Sequence, residues 1–163
     1  MPMLFLAKIN MENISKHITY AEAIHSNTAK RRGIDNTPNK DQTECMKITA
    51  EKIFEPLRKF VGGPIKVTSM FRSADLNKAI KGSKSSQHMK GQALDLDADY
   101  YGKIDNSQIF YWIKNNLIFD QLIWEFGDDN NPDWVHVSFS QGMNRLKVMR
   151  AIKKRGKTVY ELY

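Results

Sequence analysis

Two histidines and one aspartate have the types and spacing of a metal-ligand set. His88 and Asp95 belong to residues 86–95, SQHMKGQALD, which follow the pattern SxHxxGxAxD. His136 closes a second run, DWVH, at residues 133–136. Two imidazoles and one carboxylate are a common ligand set for a catalytic zinc ion that keeps its fourth position for water. The sequence therefore predicts a Zn²⁺ site held by His88, Asp95 and His136.

Hydrolysis at such a site also needs a carboxylate that moves protons and a cation that stabilises negative charge. Asp133, three residues before His136, is our candidate base, although the chain would have to bend near Pro132 to turn both side chains to one face. Glu125, at the end of the preceding predicted strand, is the alternative. Arg72 is the candidate for binding an oxyanion or a substrate carboxylate, with a structural ion pair as its alternative.

The helices that must support this site are predicted mainly in the first part of the chain. Thr19 and Glu22 form a capping-box pattern, which predicts a helix over residues 20–32 that stops at Gly33. Apolar residues at helical spacing predict a second helical segment over 40–60, kinked or divided at Pro56. Shorter helices are predicted over 74–80, after the N-cap Ser73, and over 107–115.

Alternating apolar residues predict strands over 65–70, 93–98, 121–126 and 134–139, and a last hairpin about residues 155–157. Asp95 and Asp97 would share one face of their strand, and His136 would point away from its apolar neighbours. We expect one α+β domain, residues 1–163, with N-terminal helices packed on an antiparallel sheet that carries the zinc site. The apolar start, residues 1–8, is expected to be a strand or a packed arm.

Composition adds limits on partners. The formal net charge is +7, and residues 145–157 hold seven basic and no acidic side chains. Such a segment suits an anionic partner such as cell-wall polymer, or is a solvated basic face. Nucleic acid is a weaker candidate, because aromatic residues do not interleave with the basic residues of this segment. We find no transmembrane segment or signal peptide, and expect a monomer made in the cytosol.

Together with residues 69–72, Ser-Met-Phe-Arg, the two motifs resemble the zinc D-alanyl-D-alanine carboxypeptidase family. That family includes D,D-dipeptidases and phage L-alanoyl-D-glutamate endolysins, and it shares its fold with the Hedgehog signalling domain. The resemblance extends over most of the chain. It implies a Hedgehog/DD-peptidase α+β fold and a zinc peptidase that cuts stem peptides of bacterial peptidoglycan, either as a carboxypeptidase or as an endolysin-type endopeptidase acting after phage release.

The same resemblance assigns roles to individual residues. It implies that His88, Asp95 and His136 hold the zinc, that Asp133 is the acid–base carboxylate and that Arg72 is the family's arginine. Ser86 and Trp134 are then candidates for contacting the substrate or supporting the ligands. The alternative function is a zinc-stabilised binding or virion structural module of the same fold that performs no turnover.

Overall fold

The computed structural model describes residues 12–163. The helices are α1 (Tyr20–Ala23), α2 (Asn27–Arg32), α3 (Lys40–Thr49), α4 (Glu55–Val61), α5 (Ala74–Ala79) and α6 (Asn106–Asn116). A π-helical turn (Ala50–Phe54) joins α3 to α4, and a 3₁₀ turn (Gln87–Lys90) precedes β2. The strands are β1 (Lys66–Ser69), β2 (Ala93–Asp97), β3 (Gln121–Glu125), β4 (Trp134–Ser138), β5 (Lys147–Lys154) and β6 (Lys157–Leu162).

The first predicted helix is divided into α1 and α2. The Thr19 capping box is present, and Gly33 ends α2 in the left-handed conformation, as predicted. Ser26 interrupts the helix because its backbone is extended and its hydroxyl accepts a hydrogen bond from the N–H of Ala29, which starts α2. The segment over 40–60 continues through the π-helical turn, and Pro56, which has no N–H to donate, lies at the start of α4 directly after that turn.

The six strands form one sheet in the order β1-β2-β4-β3-β5-β6. Its neighbours are antiparallel except for β3 and β5, which are parallel. The expectation of a fully antiparallel sheet is therefore wrong at this pair. Because β2 and β3 already occupy both edges of β4, the chain leaving β4 crosses to the free edge of β3 and enters beside its start, with Gln121 opposite Lys147.

The two faces of the sheet have different roles. One face packs on the helices and forms the core, to which the sheet contributes Leu94, Leu96, Leu122, Trp124, Val135 and Val137. The opposite face carries the alternating polar residues, among them Asp95 and His136, and borders an open cleft. The candidate site therefore rests on a sheet whose reverse face is held by a closed apolar core.

Three further expectations concern the last hairpin, the first residues and membrane-spanning helices. The hairpin forms as predicted, with Arg155 and Gly156 both at positive φ in its two-residue turn. The expected N-terminal strand or arm over residues 1–8 lies outside the described residues. Within residues 12–163, no helix is both long and apolar enough to cross a bilayer.

Candidate metal centre

The structure brings the three predicted ligands together. Asp95 on β2 lies directly opposite His136 on β4, and the 3₁₀ turn places His88 against both. The Nδ1 atom of His136 is 2.9 Å from Oδ1 of Asp95, and Nε2 of His88 is 3.2 Å from Oδ2. One ligand atom from each residue lies within 4.8 Å of the others. Their spacing suits three ligands of a single ion.

The environment of His88 fits a metal ligand. Its Nδ1 atom lies 2.7 Å from the carbonyl oxygen of Met70, which can only accept, so Nδ1 carries the proton and donates. The Nε2 atom therefore carries a lone pair. It is buried without a hydrogen-bond partner and faces the Asp95 carboxylate. Burial lowers the pKa of His88, which keeps the imidazole neutral. A buried lone pair facing a carboxylate needs a cation between them, and Zn²⁺ suits this donor set.

The Asp95 carboxylate is held in its charged form. Burial alone would raise its pKa, but the facing imidazoles of His88 and His136 outweigh that effect and hold the pKa below its usual range. Nη2 of Arg72 also donates to Oδ2 at 2.8 Å, while Nε donates to Ser69. Arg72 thus borders the cleft and orients Asp95 through an ion pair, and a structural ion pair was the alternative role predicted for Arg72.

Gly91 fixes the turn that presents His88. Its φ of +72° is in the left-handed region, and a Cβ there would collide with the carbonyl oxygen of Gln42 on α3. The α3 helix also holds this turn through hydrogen bonds, from Thr49 to the Gly91 carbonyl and from Gln42 to the Met89 carbonyl. Gly91 therefore allows the turn to approach α3 closely.

Glu125 lies in the cleft beside the ligands. It pairs with Trp134 on β4, two positions from His136, so the three side chains share one face of the sheet. The residue is only 6% exposed, and burial raises the pKa of its carboxyl to about 7. A carboxylate with that pKa can accept and return a proton near neutral pH.

Asp133 is not brought to the cleft. It is exposed just before β4, and the residues that line the cleft do not include it. Its backbone instead braces the strand, because its N–H donates to the Glu125 carbonyl and its own carbonyl accepts from Asn106. Ordinary alternation from His136 already turns Trp134 and Glu125 inward, so the bend required for Asp133 does not form.

The cleft has a volume of about 830 Å³ and is lined by both predicted substrate-contacting residues, Ser86 and Trp134. Trp134 is half-buried and packs on Phe126, with ring centroids 5.3 Å apart. The aromatic pair lies at the same end of the cleft as Glu125. This end can accept an apolar group next to the candidate base.

The lining of the cleft also includes basic side chains. Lys81, Lys90 and Lys147 line it, and none has an acidic partner within residues 12–163. Arg145 is also there, but its guanidinium binds both carboxylate oxygens of Asp120. Three lysines without ion-pair partners favour a ligand that carries a carboxylate or another anionic group.

The C-terminal hairpin supplies a wall that local sequence patterns did not predict. Lys147 and Met149 on β5 and Thr158 and Tyr160 on β6 all line the cleft. The alternation within β6 could have placed Thr158 and Tyr160 on one face. Only the pairing of β5 with β3 determines that this face borders the cleft.

A buried His–Asp–His set beside a carboxyl of raised pKa, in an open cleft, is the arrangement of a metal-dependent hydrolase. Comparison with family models gives a match to Peptidase M15 over residues 16–138. The chain belongs to this peptidase family, and it is accordingly a hydrolase of peptide bonds. No curated protein matches it.

Proposed function

We propose that the protein is a zinc-dependent peptidase that hydrolyses peptide bonds in peptidoglycan stem peptides, in the manner of a carboxypeptidase or a phage endolysin. The observation that carries the proposal is the joint presence of His88, Asp95 and His136 beside Glu125 in one open cleft. Peptidase M15 membership supports the reaction class, and the resemblance of the motifs supports the substrate.

His88, Asp95 and His136 would hold the zinc. Bound there, Zn²⁺ would lower the pKa of a coordinated water to about 7 and polarise the substrate carbonyl. His88 is fixed in the required tautomer by its hydrogen bond to Met70, and Asp95 is kept ionised and oriented by Arg72. These contacts would hold two of the three ligands in position for the ion.

Glu125 is the group we propose as acid–base, in place of Asp133. Its carboxylate would accept the proton of the attacking water and return it to the leaving amine. Its burial, its position on the face of His136 and its pKa of about 7 support this role. Asp133 stays exposed outside the cleft lining, so its role as base is the weaker proposal.

The charge of the cleft supports an anionic peptide as substrate. Peptidoglycan stem peptides carry free carboxylates, and the unpaired lysines Lys81, Lys90 and Lys147 line the cleft. Beside Glu125, Trp134 and Phe126 offer an apolar surface for the methyl group of an alanine residue. The basic hairpin would favour the anionic wall as the place of action.

The test is mass spectrometry of defined stem peptides incubated with the full chain, with chelator and with zinc added back. We expect a zinc-dependent loss of mass that names the bond, terminal D-alanine release or internal cleavage. If zinc-loaded protein cleaves no stem peptide from any wall type, the peptidase proposal fails and the alternative of a zinc-stabilised binding module takes its place.

A further inference from the structure

The C-terminal hairpin places the hydroxyl group of Tyr160 in the cleft of the candidate base Glu125, and this hairpin lies outside the residues that match the family. Tyr160 lies on β6, outside the matched residues 16–138, yet it lines the same cleft as Glu125 and His136. The family match therefore does not cover this wall.

The strand register places Tyr160 in a row with Glu125. Ala151 on β5 pairs with Glu125 on one side and with Tyr160 on the other, so all three side chains share one face. Two strand spacings separate the backbones of Glu125 and Tyr160, roughly 10 Å. The small side chain of Ala151 stands between them and is fully buried although it faces the cleft, so neighbouring side chains cover it.

The surroundings of Tyr160 keep its phenol protonated. Partial burial raises the pKa of Tyr160, and the carboxylates of Glu125 and Asp95 raise it further. Tyr160 lines the cleft together with Glu125 and Asp95, so its side chain lies on the cleft side of the hairpin. A protonated phenol beside two carboxylates is a hydrogen-bond donor, which a bound peptide carbonyl can use.

We propose that Tyr160 is a substrate-contacting residue whose hydroxyl donates a hydrogen bond to a backbone carbonyl of the peptide bound over Glu125. This rests on the proposed function, since the contact needs a peptide in the cleft. The competing role is packing alone, in which the ring covers Ala151 and the hydroxyl is idle. Phenylalanine separates the two roles, because it keeps the ring and removes only the hydroxyl.

The experiment compares zinc-loaded wild type, Tyr160→Phe and the control Tyr101→Phe on a synthetic stem pentapeptide. Tyr101 is 49% exposed and Tyr160 is 54% exposed, so the two substitutions remove a hydroxyl from similar surroundings, one outside the cleft and one inside. We expect Tyr160→Phe to lose about tenfold in kcat/KM, the worth of one neutral hydrogen bond. Melting temperature and bound zinc should equal those of wild type, and Tyr101→Phe should keep full activity.

Binding of the same pentapeptide is measured by calorimetry in zinc-loaded Glu125→Gln, with and without Tyr160→Phe. If wild type cleaves nothing, the proposed function fails, but a tenfold weaker binding in the double variant would still support the contact. Equal kcat/KM for wild type and Tyr160→Phe, or equal binding in the two Glu125→Gln backgrounds, would overturn the Tyr160 proposal alone. A wild type that neither binds nor cleaves the pentapeptide overturns both.

Discussion

Two sides of the cleft hold their side chains differently. The ligand side is formed by β2, β4 and the 3₁₀ turn, and the hairpin side is formed by β5 and β6. His88 is 2% exposed and is fixed by the Met70 carbonyl, and Asp95 is 7% exposed and is fixed by the partly buried Arg72. Tyr160 on the edge strand is 54% exposed. Rigid interior strands suit chemistry that tolerates little displacement, whereas an exposed wall suits recognition.

The two sides also differ in how their charge is used. On the ligand side, Arg72 is committed to the ion pair with Asp95. On the hairpin, Arg155 and Lys157 have no acidic partner within residues 12–163. Variants of the ligand side should therefore change metal binding and turnover, and variants of the hairpin should change affinity for substrate or polymer.

The largest expected effect comes from Asp95→Asn. The amide cannot supply the anionic oxygen, and Arg72 loses its ion-pair partner, so we expect zinc affinity and turnover to fall by a factor on the order of 10³ or more. Dialysed protein is measured for bound zinc by elemental analysis and for cleavage of stem peptide. Asp97→Asn, on the same strand face but outside the ligand set, is the control and should retain the metal.

A second effect separates the two candidate bases. Glu125→Gln should lower kcat by about 10²–10⁴-fold because the water loses its proton acceptor, while bound zinc stays at the wild-type level. Asp133→Asn, which alters an exposed side chain outside the cleft, should change kcat by less than about threefold. The reverse ranking would restore Asp133, the base that the sequence favoured.

The contrast between Glu125 and Asp133 indicates what sequence could predict. The motif spacing and strand alternation predicted that His88, Asp95 and His136 face one site, and the pairing of β2 with β4 brings them together. The position of Glu125, the proposed base, depends on the pairing of β3 with β4, which brings it opposite Trp134. The parallel entry of β5 is also a long-range choice, set by the free edge of β3. The position of Tyr160 beside the cleft follows from this parallel entry of β5. Local sequence patterns therefore predict neither the entry of β5 nor the position of Tyr160.

Glu125 should also give the metal-free protein a characteristic pH dependence. Its folded-state pKa of about 7 lies above the usual 4.5, so its contribution to stability is present at low pH and is lost as pH rises through 7. Relative to Glu125→Gln, wild type should lose up to roughly 3 kcal/mol of unfolding free energy between pH 4.5 and pH 8.

Urea unfolding of both proteins in chelator, at several pH values across this range, measures that difference. The buried groups His88 and Asp95 titrate in both proteins and largely cancel in the comparison. A difference that does not change with pH would mean that Glu125 has an ordinary pKa, and the support that burial gives to its role as base would be lost.

The smallest expected effect tests the hairpin as a wall-binding surface. Arg155→Gln with Lys157→Gln removes two exposed charges at the turn, and binding to isolated peptidoglycan sacculi at low salt should weaken by about two- to fivefold. Cleavage of soluble stem peptide should not change, because neither residue lines the cleft.

The matched control removes two exposed charges from α2, Lys30→Gln with Arg31→Gln, and alters net charge equally. If wall binding depends on the hairpin itself, only the turn variant weakens in a pelleting assay, and the difference vanishes at about 0.5 M salt, where exposed charges are screened. Equal weakening by both variants would mean that net charge alone attracts the wall. The hairpin would then act through Tyr160 in the cleft and have no separate binding surface.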